Sequence, residues 1–186
     1  MRSDREKWDL RYSQDSGRIP EADEFVISNS SLLTSGIAMD LACGLGGDSI
    51  FLAERGYTVH AVDISSEAIF RLARASRRMG LDIHPVIADL DRFPLPKDYY
   101  DLIVVFYFFA KDLMPGIVSA LRKGGLLFYA TYNQRHKSLN PCFNPDYLVP
   151  PDGLAKYFPG FDILIHETAA GERQNISRVL AEKAMD

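Results

Sequence analysis

The segment Ile37-Ala-Met-Asp-Leu-Ala-Cys-Gly-Leu-Gly-Gly-Asp-Ser-Ile-Phe51 predicts a short buried strand, a glycine turn and the start of a helix. Gly44, Gly46 and Gly47 can adopt positive φ and carry no Cβ, so a ligand can approach the backbone closely. The helix that begins near residue 48 points its free N–H groups into this turn. The segment therefore predicts a turn that can bind a ligand.

The next apolar segment, Val59-His-Ala-Val-Asp-Ile-Ser65, predicts a second strand that ends on an acid. Asp63 stands nineteen residues after Gly44. An acid about 20 residues beyond the glycines lies beside the turn in a βαβ unit, where it can accept hydrogen bonds from both hydroxyls of a ribose. Together the two segments predict a nucleoside site.

Two residues distinguish between possible nucleosides. A dinucleotide fingerprint has a small residue, usually glycine, three positions after Gly46, and here Ser49 stands there, so the match is partial. Asp40 lies near the end of a strand that should be buried, and a buried carboxylate needs a cationic or hydrogen-bonding partner. It would repel a pyrophosphate and attract an α-amino group. S-adenosyl-L-methionine, which carries an amino group and a ribose, fits this pattern.

Three motifs in this order resemble those of the class I S-adenosylmethionine-dependent methyltransferases: Asp40-Leu-Ala-Cys-Gly-Leu-Gly-Gly47, Val62-Asp-Ile-Ser65 and Ala88-Asp-Leu90. The resemblance is closest over residues 36–133, and Ala42 replaces a glycine that is frequent in the family. The resemblance implies that S-adenosyl-L-methionine is the cofactor and S-adenosyl-L-homocysteine the product. It places cofactor contacts at Asp40, Ala42, Gly44, Gly46, Asp63, Ile64, Asp89 and Leu90. The alternative, a Rossmann-like domain whose glycines only form a tight turn, leaves three acids unexplained.

The rest of the chain predicts alternating strands and helices. Strands are expected at 37–42, 58–63, 83–88, 100–106 and 126–132, with helices at 48–55, 65–80 and 112–121 between them. Two further strands, 161–168 and 176–183, form a hairpin signal. By the right-handed crossover rule the fold class is α/β, a Rossmann-like doubly wound seven-stranded sheet that is mostly parallel with an antiparallel C-terminal hairpin.

The N-terminal segment predicts a short helix over residues 3–13, capped by Ser3 or Asp4, and a further helix over 22–33. Trp8 and Tyr12 stand four residues apart in the first helix. The segment resembles the N-terminal lid of small class I methyltransferases, which implies cofactor contacts for both aromatic residues. Equally, the two rings can form an apolar stripe that packs on the domain.

Aromatic and basic residues after strands four and five are the candidates for catalysis. Phe106 and Tyr107 begin a run of four aromatic residues whose π faces can stabilise a sulfonium, although alternate strand residues should be core. Arg135 and His136 lie in the polar segment after strand five. Arg135 can orient an anionic acceptor and His136 can act as a general base. The alternative for this basic pair is simple exposure to solvent.

The composition is that of an ordinary globular chain, with 186 residues, 47% hydrophobic residues and a net charge of −4. We expect a single domain, with an N-terminal cap at 1–35, a cofactor core at 36–133, and a substrate loop and C-terminal strands at 134–186. The charged N-terminus and the longest apolar run, nine residues from Leu102, favour a cytoplasmic protein without a membrane partner. Cys43 and Cys142 show no metal-binding spacing, so no metal is expected.

The acceptor is expected to be a small molecule, because the seven-strand core uses most of the chain and the net charge does not attract nucleic acid. In its lid-like N-terminal segment and its compact length, the chain resembles the tellurite-resistance and thiopurine-type methyltransferases. This resemblance implies a thiol or a selenium or tellurium oxyanion as acceptor. We expect a monomer or a homodimer. The alternatives are a non-catalytic S-adenosylmethionine-binding module, a methyltransferase acting on protein or RNA, and a nicotinamide-dependent oxidoreductase that Asp40 and Ser49 disfavour.

Overall fold

A computed structural model describes residues 2–15, 17–169 and 175–185. The chain forms two compact units, residues 1–93 and residues 94–186. None of the helices described in these ranges is long and apolar enough to cross a bilayer. The predicted division into cap, core and substrate region stays a prediction.

The first unit contains three parallel strands in the order β3-β2-β1: β1 is Gly36–Leu41, β2 is Tyr57–Asp63 and β3 is Ile83–Ile87. Leu41 pairs with Val62, and Asp63 pairs with Ile87. The carboxyl ends of the three strands therefore align at one edge. The loops that follow β1, β2 and β3 all start from that edge, which is where α/β sheets bind ligands.

The described residues of the first unit form four α-helices: α1 at Arg2–Ser13, α2 at Glu24–Ser28, α3 at Gly47–Ala53 and α4 at Ser66–Met79. The prediction of one helix over 22–33 was wrong, because α2 ends at Ser28 with Asn29 as its C-cap, and a 3-10 turn, Ser30–Leu32, follows. The Asn29 side chain donates to the Phe25 carbonyl oxygen at 2.8 Å. Such a bond competes with the backbone pattern of a continuing helix.

Helix α4 has the ends that its sequence predicts. The Ser65 hydroxyl accepts a hydrogen bond from the Ala68 N–H at 3.2 Å, and Gly80 ends the helix with φ +65°. Leu72, in the middle of the helix, is fully buried, whereas Met79, its last residue, is 46% exposed.

In the second unit, the part of the chain that the structure describes forms four strands in the order β4-β5-β7-β6: β4 is Tyr100–Phe106, β5 is Leu121–Tyr132, β6 is Phe161–Ala169 and β7 is Ile176–Lys183. Strands β4 and β5 are parallel, and β7 is antiparallel to both β5 and β6. The seven strands thus form a mixed, mostly parallel sheet with an antiparallel C-terminal pair, and the predicted fold class is confirmed. The connection predicted between the last two strands lies largely outside the described residues.

Two elements of the second unit begin at residues other than those predicted. Strand β5 begins at Leu121, and its ladder with β4 jumps from the Tyr100–Leu121 pair to the Leu102–Leu126 pair, so the basic glycine turn is a bulge within the strand. Helix α5, Met114–Ala120, is preceded by a separate 3-10 turn at Lys111–Leu113. Proline at position 115 suits the first turn of an α-helix and not its interior, which fixes this late start.

Candidate cofactor site and substrate segment

Asp63 is a buried carboxylate at the carboxyl end of β2, with only 6% of its surface exposed. The Gly44 N–H donates to Oδ2 and the Ser65 N–H donates to Oδ1, each at 2.8 Å. Burial raises the pKa of Asp63, and these backbone hydrogen bonds oppose that rise. Since each carboxylate oxygen has two acceptor directions, each retains one for a further donor. This arrangement can accept two neighbouring hydroxyl groups.

The turn between β1 and α3 contains three alternate residues, at positions 42, 44 and 46, in the left-handed region. Ala42 has φ +57°, Gly44 has φ +53° and Gly46 has φ +82°. A left-handed conformation costs a residue with a Cβ about 1–2 kcal/mol. The structure therefore explains why glycine suits position 42, and it shows that the alanine in this chain adopts the same conformation.

The glycines of this turn are in close contact with other parts of the protein. A Cβ added at Gly44 would lie 2.7 Å from the Tyr12 hydroxyl oxygen, and one at Gly47 would lie 2.7 Å from the carbonyl oxygens of Pro20 and Glu21. At Gly46 it would overlap the methyl groups of Leu72. The sequence interpretation assigned this space to a ligand alone. In the structure the missing Cβ atoms also allow α1, the chain before α2, and α4 to pack on the turn.

Asp40 is 3% exposed on β1, and the Ser49 hydroxyl donates to its Oδ2 at 2.5 Å. Burial raises the pKa of Asp40 well above its ordinary value, and the negative charges of Asp48 and Asp63 raise it further. No lysine, arginine or histidine among the described residues forms an ion pair with this carboxylate. The site therefore favours a cationic donor. The sequence interpretation treated Ser49 only as a departure from another fingerprint and missed its hydrogen bond.

Asp48 connects α3 to the segment before α2. Its Oδ1 accepts a hydrogen bond from the Asp23 N–H at 2.8 Å. Burial raises the pKa of Asp48 to about 6, and that hydrogen bond opposes the rise. This hydrogen bond fixes the segment before α2, whose Pro20 and Glu21 carbonyl oxygens lie against Gly47.

Asp89 follows β3 at the same sheet edge. One carboxylate oxygen accepts from the Asp91 N–H at 3.1 Å and caps the 3-10 turn Leu90–Arg92, while Leu90 itself is buried. Ile64, which follows Asp63, has its carbonyl oxygen bound to the Nε of Arg5 at 3.1 Å. The structure thus places Asp89 and Ile64 at the carboxyl ends of neighbouring strands. Their contacts with adenine and ribose stay predictions.

The sequence left open whether Trp8 and Tyr12 of α1 form an apolar stripe or lie over the cofactor turn. The Trp8 and Tyr12 rings stack with centroids 5.7 Å apart, as an apolar stripe would. The Tyr12 hydroxyl also lies over Gly44, and burial together with the charge of Asp63 raises the pKa of Tyr12. Tyr12 therefore belongs to the glycine turn as well as to the helix surface.

In the second unit, the aromatic run after β4 divides between core and surface. Phe106 and Phe109 are buried, whereas Tyr107 has φ +58° and is 43% exposed. The Tyr107 ring lies 5.6 Å from the Tyr132 ring. The left-handed backbone at Tyr107 turns the chain at the end of the strand.

His136 lies within an aromatic cluster formed by Tyr107, Tyr132, His136 and Phe143. Its ring centroid is 4.3 Å from Tyr132 and 5.0 Å from Phe143, and its buried Nδ1 has no hydrogen-bond partner among the described residues. Arg135, its neighbour, has an exposed side chain outside this cluster. The structure thus brings Tyr107 and His136 into one cluster and leaves Arg135 at the surface. Tyr132 and Phe143 were not predicted, because nothing in a polar segment marks aromatic packing.

The side chains of the described ranges do not gather into a group of three metal-ligating residues. Both cysteines of the chain, Cys43 and Cys142, are free thiols. The chemistry of the two sites described above therefore rests on carboxylates, backbone amides, aromatic rings and one histidine.

Residues 38–125 match a family model described as a methyltransferase domain. Hemagglutinin 1 of Eikenella corrodens is 30% identical over 145 residues, which is 72% of this chain and 46% of that protein. The probable S-adenosyl-L-methionine-dependent methyltransferase TehB of Haemophilus influenzae is 24% identical over 158 residues, 79% of this chain and 53% of that protein. The chain therefore spans about half the length of the curated relatives that it matches.

The crystal structure of TehB from Haemophilus influenzae is similar to this structure with a TM-score of 0.77 and 18% identity. The match covers 95% of this chain and 67% of that one. At this identity the likeness shows a shared fold.

Proposed function

We propose that this chain, of which residues 38–125 match a methyltransferase domain, is a class I S-adenosylmethionine-dependent methyltransferase that transfers the methyl group of S-adenosyl-L-methionine to a small-molecule acceptor. S-adenosyl-L-homocysteine is the product of such a transfer. The observation that carries this proposal is Asp63, whose two oxygens each hold one backbone N–H and retain one acceptor direction for a ribose hydroxyl.

The residues of the first unit fit this cofactor. Asp63 would hold the ribose, and Asp40, buried and without a cationic partner in the described ranges, would hold the amino group. Asp89 and the Leu90 N–H would contact the adenine. The turn at Gly44 and Gly46 would line the remaining part of the cofactor. When bound, the cofactor supplies a methyl group activated by a sulfonium.

The protein then has to align the acceptor and exclude water. In the second unit, the exposed ring of Tyr107 is the candidate for stabilising a sulfonium, since aromatic faces attract cations. His136 would take the proton of an acceptor that loses one. Arg135 would attract an acceptor that carries negative charge.

Two observations support a small acceptor. The aromatic cluster around His136 offers apolar surface next to a histidine, which suits a compact thiol or chalcogen acceptor better than a polymer. The net charge of −4 does not attract nucleic acid. We propose a monomer or a homodimer that acts in the cytoplasm.

The test is methyl transfer from S-adenosyl-L-methionine labelled in its methyl group. The purified chain is incubated with a cell extract that has been depleted of small molecules, or with the separated small-molecule fraction, and label is measured in volatile, soluble and precipitable products. We expect volatile or soluble label that depends on the small-molecule fraction. The Asp63→Asn variant serves as the control that lacks the proposed ribose contact.

Other outcomes would change the proposal. Label confined to precipitable material would favour a protein or RNA acceptor. Cofactor binding by calorimetry without label in any fraction would favour a non-catalytic binding module. Absence of cofactor binding by the folded chain would refute the proposal as a whole.

A further inference from the structure

One face of α1 lies across the turn that follows Asp63. Arg5, Asp9 and Tyr12 occupy positions i, i+4 and i+7, which share a side of a helix. Arg5 donates from Nε to the Ile64 carbonyl oxygen at 3.1 Å, and the Tyr12 hydroxyl lies over Gly44. The middle residue of this face is Asp9.

The Asp9 carboxylate accepts hydrogen bonds from the first turn of α4. Its Oδ1 accepts from the Ser65 hydroxyl at 2.6 Å and from the Glu67 N–H at 3.1 Å, and its Oδ2 accepts from the Ser66 hydroxyl at 3.1 Å. Burial acts to raise the pKa of Asp9, but the hydrogen bonds from Ser65, Glu67 and Ser66 outweigh it, and the pKa is lowered. The ionised form is therefore the one that holds α4.

Ser65 connects Asp9 to the candidate ribose site. Its hydroxyl donates to Asp9, and its backbone N–H donates to Asp63 Oδ1. The other oxygen of Asp63 accepts from the Gly44 N–H. A continuous chain of hydrogen bonds thus runs from α1 through Ser65 and Asp63 to the glycine turn.

A purely structural cap would not need Asp9. The Ser65 hydroxyl already accepts from the Ala68 N–H, as an ordinary N-cap does, and Asp9 reaches this end from a helix 56 residues earlier in the sequence. The second anchor of α1, Arg5 on the Ile64 carbonyl, lies on the same turn. Both anchors therefore fix the backbone between Asp63 and the start of α4.

We propose that Asp9 is a positioning residue for cofactor binding: acting through Ser65, it holds the Asp63 carboxylate in its binding orientation and holds α1 over the glycine turn. This inference rests on the proposed binding of S-adenosylmethionine at Asp63. Its consequence is that cofactor affinity and residence time depend on a side chain outside the three recognisable cofactor motifs.

The test compares Asp9→Asn, which keeps the size of the side chain, with Glu67→Gln. Glu67 is a carboxylate in the same first turn of α4, but its side chain pairs with Arg71 at 2.8 Å. Binding and dissociation of S-adenosyl-L-homocysteine are measured by calorimetry and stopped-flow fluorescence, well below the melting temperature of each variant. We expect Asp9→Asn to weaken binding roughly fivefold to thirtyfold, mainly through faster dissociation, and Glu67→Gln to change it less than about twofold.

A second readout needs no cofactor. Hydrogen exchange of the Gly44 and Ser65 amides, both of which donate to Asp63, should accelerate in Asp9→Asn and stay unchanged in Glu67→Gln. If wild-type protein binds no cofactor, the proposed function fails, and the exchange rates still show whether Asp9 holds the turn. Unchanged exchange at both amides would overturn the positioning role whatever the binding result.

Further variants separate positioning from general destabilisation. Ser65→Ala breaks the same chain of hydrogen bonds, so its effect on cofactor affinity should not add fully to that of Asp9→Asn. If Asp9→Asn does not fold, Ser66→Ala removes one hydrogen bond from Asp9 and should give a smaller effect in the same direction. Full additivity of the Asp9 and Ser65 changes, or an equal loss of affinity in Glu67→Gln, would overturn the inference.

Discussion

Replacing Asp63 with asparagine tests the central feature of the candidate site. The carboxylate is buried, and its two oxygens accept the Gly44 and Ser65 N–H groups at 2.8 Å. Asparagine has the same shape, but it has one acceptor oxygen and one NH2 group. The NH2 group must therefore face one of the two backbone donors. Alanine would leave both donors without a partner, which makes asparagine the sharper probe.

The magnitude follows from the lost acceptors. One of two proposed ribose hydrogen bonds to a charged group disappears, which costs about 1.5–3 kcal/mol, and the other becomes a hydrogen bond to a neutral group, which costs about 1 kcal/mol more. The sum, about 2.5–4 kcal/mol, corresponds to a roughly 70-fold to 1,000-fold rise in Kd. Stability should also fall by about 1–3 kcal/mol, because one buried N–H of Gly44 or Ser65 loses its acceptor.

Calorimetric titration with S-adenosyl-L-homocysteine measures the Kd, and urea unfolding measures the stability of the same preparation. Asp82→Asn is the matched control, since Asp82 is an exposed acid that accepts from the Thr58 hydroxyl near the amino end of β2. The control should leave the Kd within about twofold of wild type. A folded Asp63→Asn protein with wild-type affinity would refute the assignment of Asp63 to the ribose.

Three further predictions concern the turn, its acids and the second unit. Gly46→Ala should lower the free energy of unfolding by about 2–4 kcal/mol, because alanine would have to adopt a left-handed φ and its new Cβ would also overlap the packed Leu72 side chain. Gly80→Ala, at φ +65° with open space around the new Cβ, should lower it by about 1 kcal/mol. Equal losses of the two variants in urea unfolding would contradict this prediction. Burial raises the pKa of Asp48 to about 6, so the folded state binds more protons than the unfolded state between about pH 4 and 6, and stability falls as pH rises through that window. Asp48→Asn should therefore gain about 1–3 kcal/mol at pH 7.5 and little at pH 4, and an equal gain at both would contradict the burial argument. His136→Gln should lower the rate of methyl transfer at least tenfold without changing the Kd for the cofactor. Lys137→Gln, at the exposed neighbouring residue, should change neither the rate nor the Kd. Equal rates for the two variants would exclude a proton-accepting role for His136.

The fold was predictable because its strands carry strong local signals. Strand β4 has the predicted bounds, Tyr100–Phe106, since an almost wholly apolar segment between polar turns indicates a strand that is covered on both faces. Strand β7, Ile176–Lys183, likewise begins and ends where its sequence predicts. The acids at positions 40, 63 and 89 were predictable for a related reason. Parallel strands place their carboxyl ends at one edge, so residues at those ends are brought together by the topology alone.

Local signals failed where side chains or bulges change the backbone. The register shift between Tyr100 and Leu102 extends β5 back to Leu121. The glycine-containing sequence at this point has the composition of a turn, and it carries no pattern that distinguishes a bulge from a turn. The hydrogen bond from Asn29 to the Phe25 carbonyl divides a segment that has the composition of one helix. Both deviations depend on a few specific contacts that periodicity does not report.

The contribution of α1 was only partly visible, and the reason lies in how sequence patterns are recognised. A helix that packs through an apolar face can be recognised from the hydrophobic periodicity of its sequence. Helix α1 is strongly polar, and its contacts with the first unit include the polar groups of Arg5 and Asp9 and the hydroxyl of Tyr12. Trp8 and Tyr12 were assigned cofactor contacts from the resemblance of their segment to a lid, whereas no role was assigned to Asp9. Its partners, the hydroxyls and N–H groups at the start of α4, lie more than 50 residues away and become its neighbours only when the sheet has formed. A residue of this kind is found from its hydrogen bonds, and for that reason the proposed cofactor site includes a residue outside the glycine and acidic motifs.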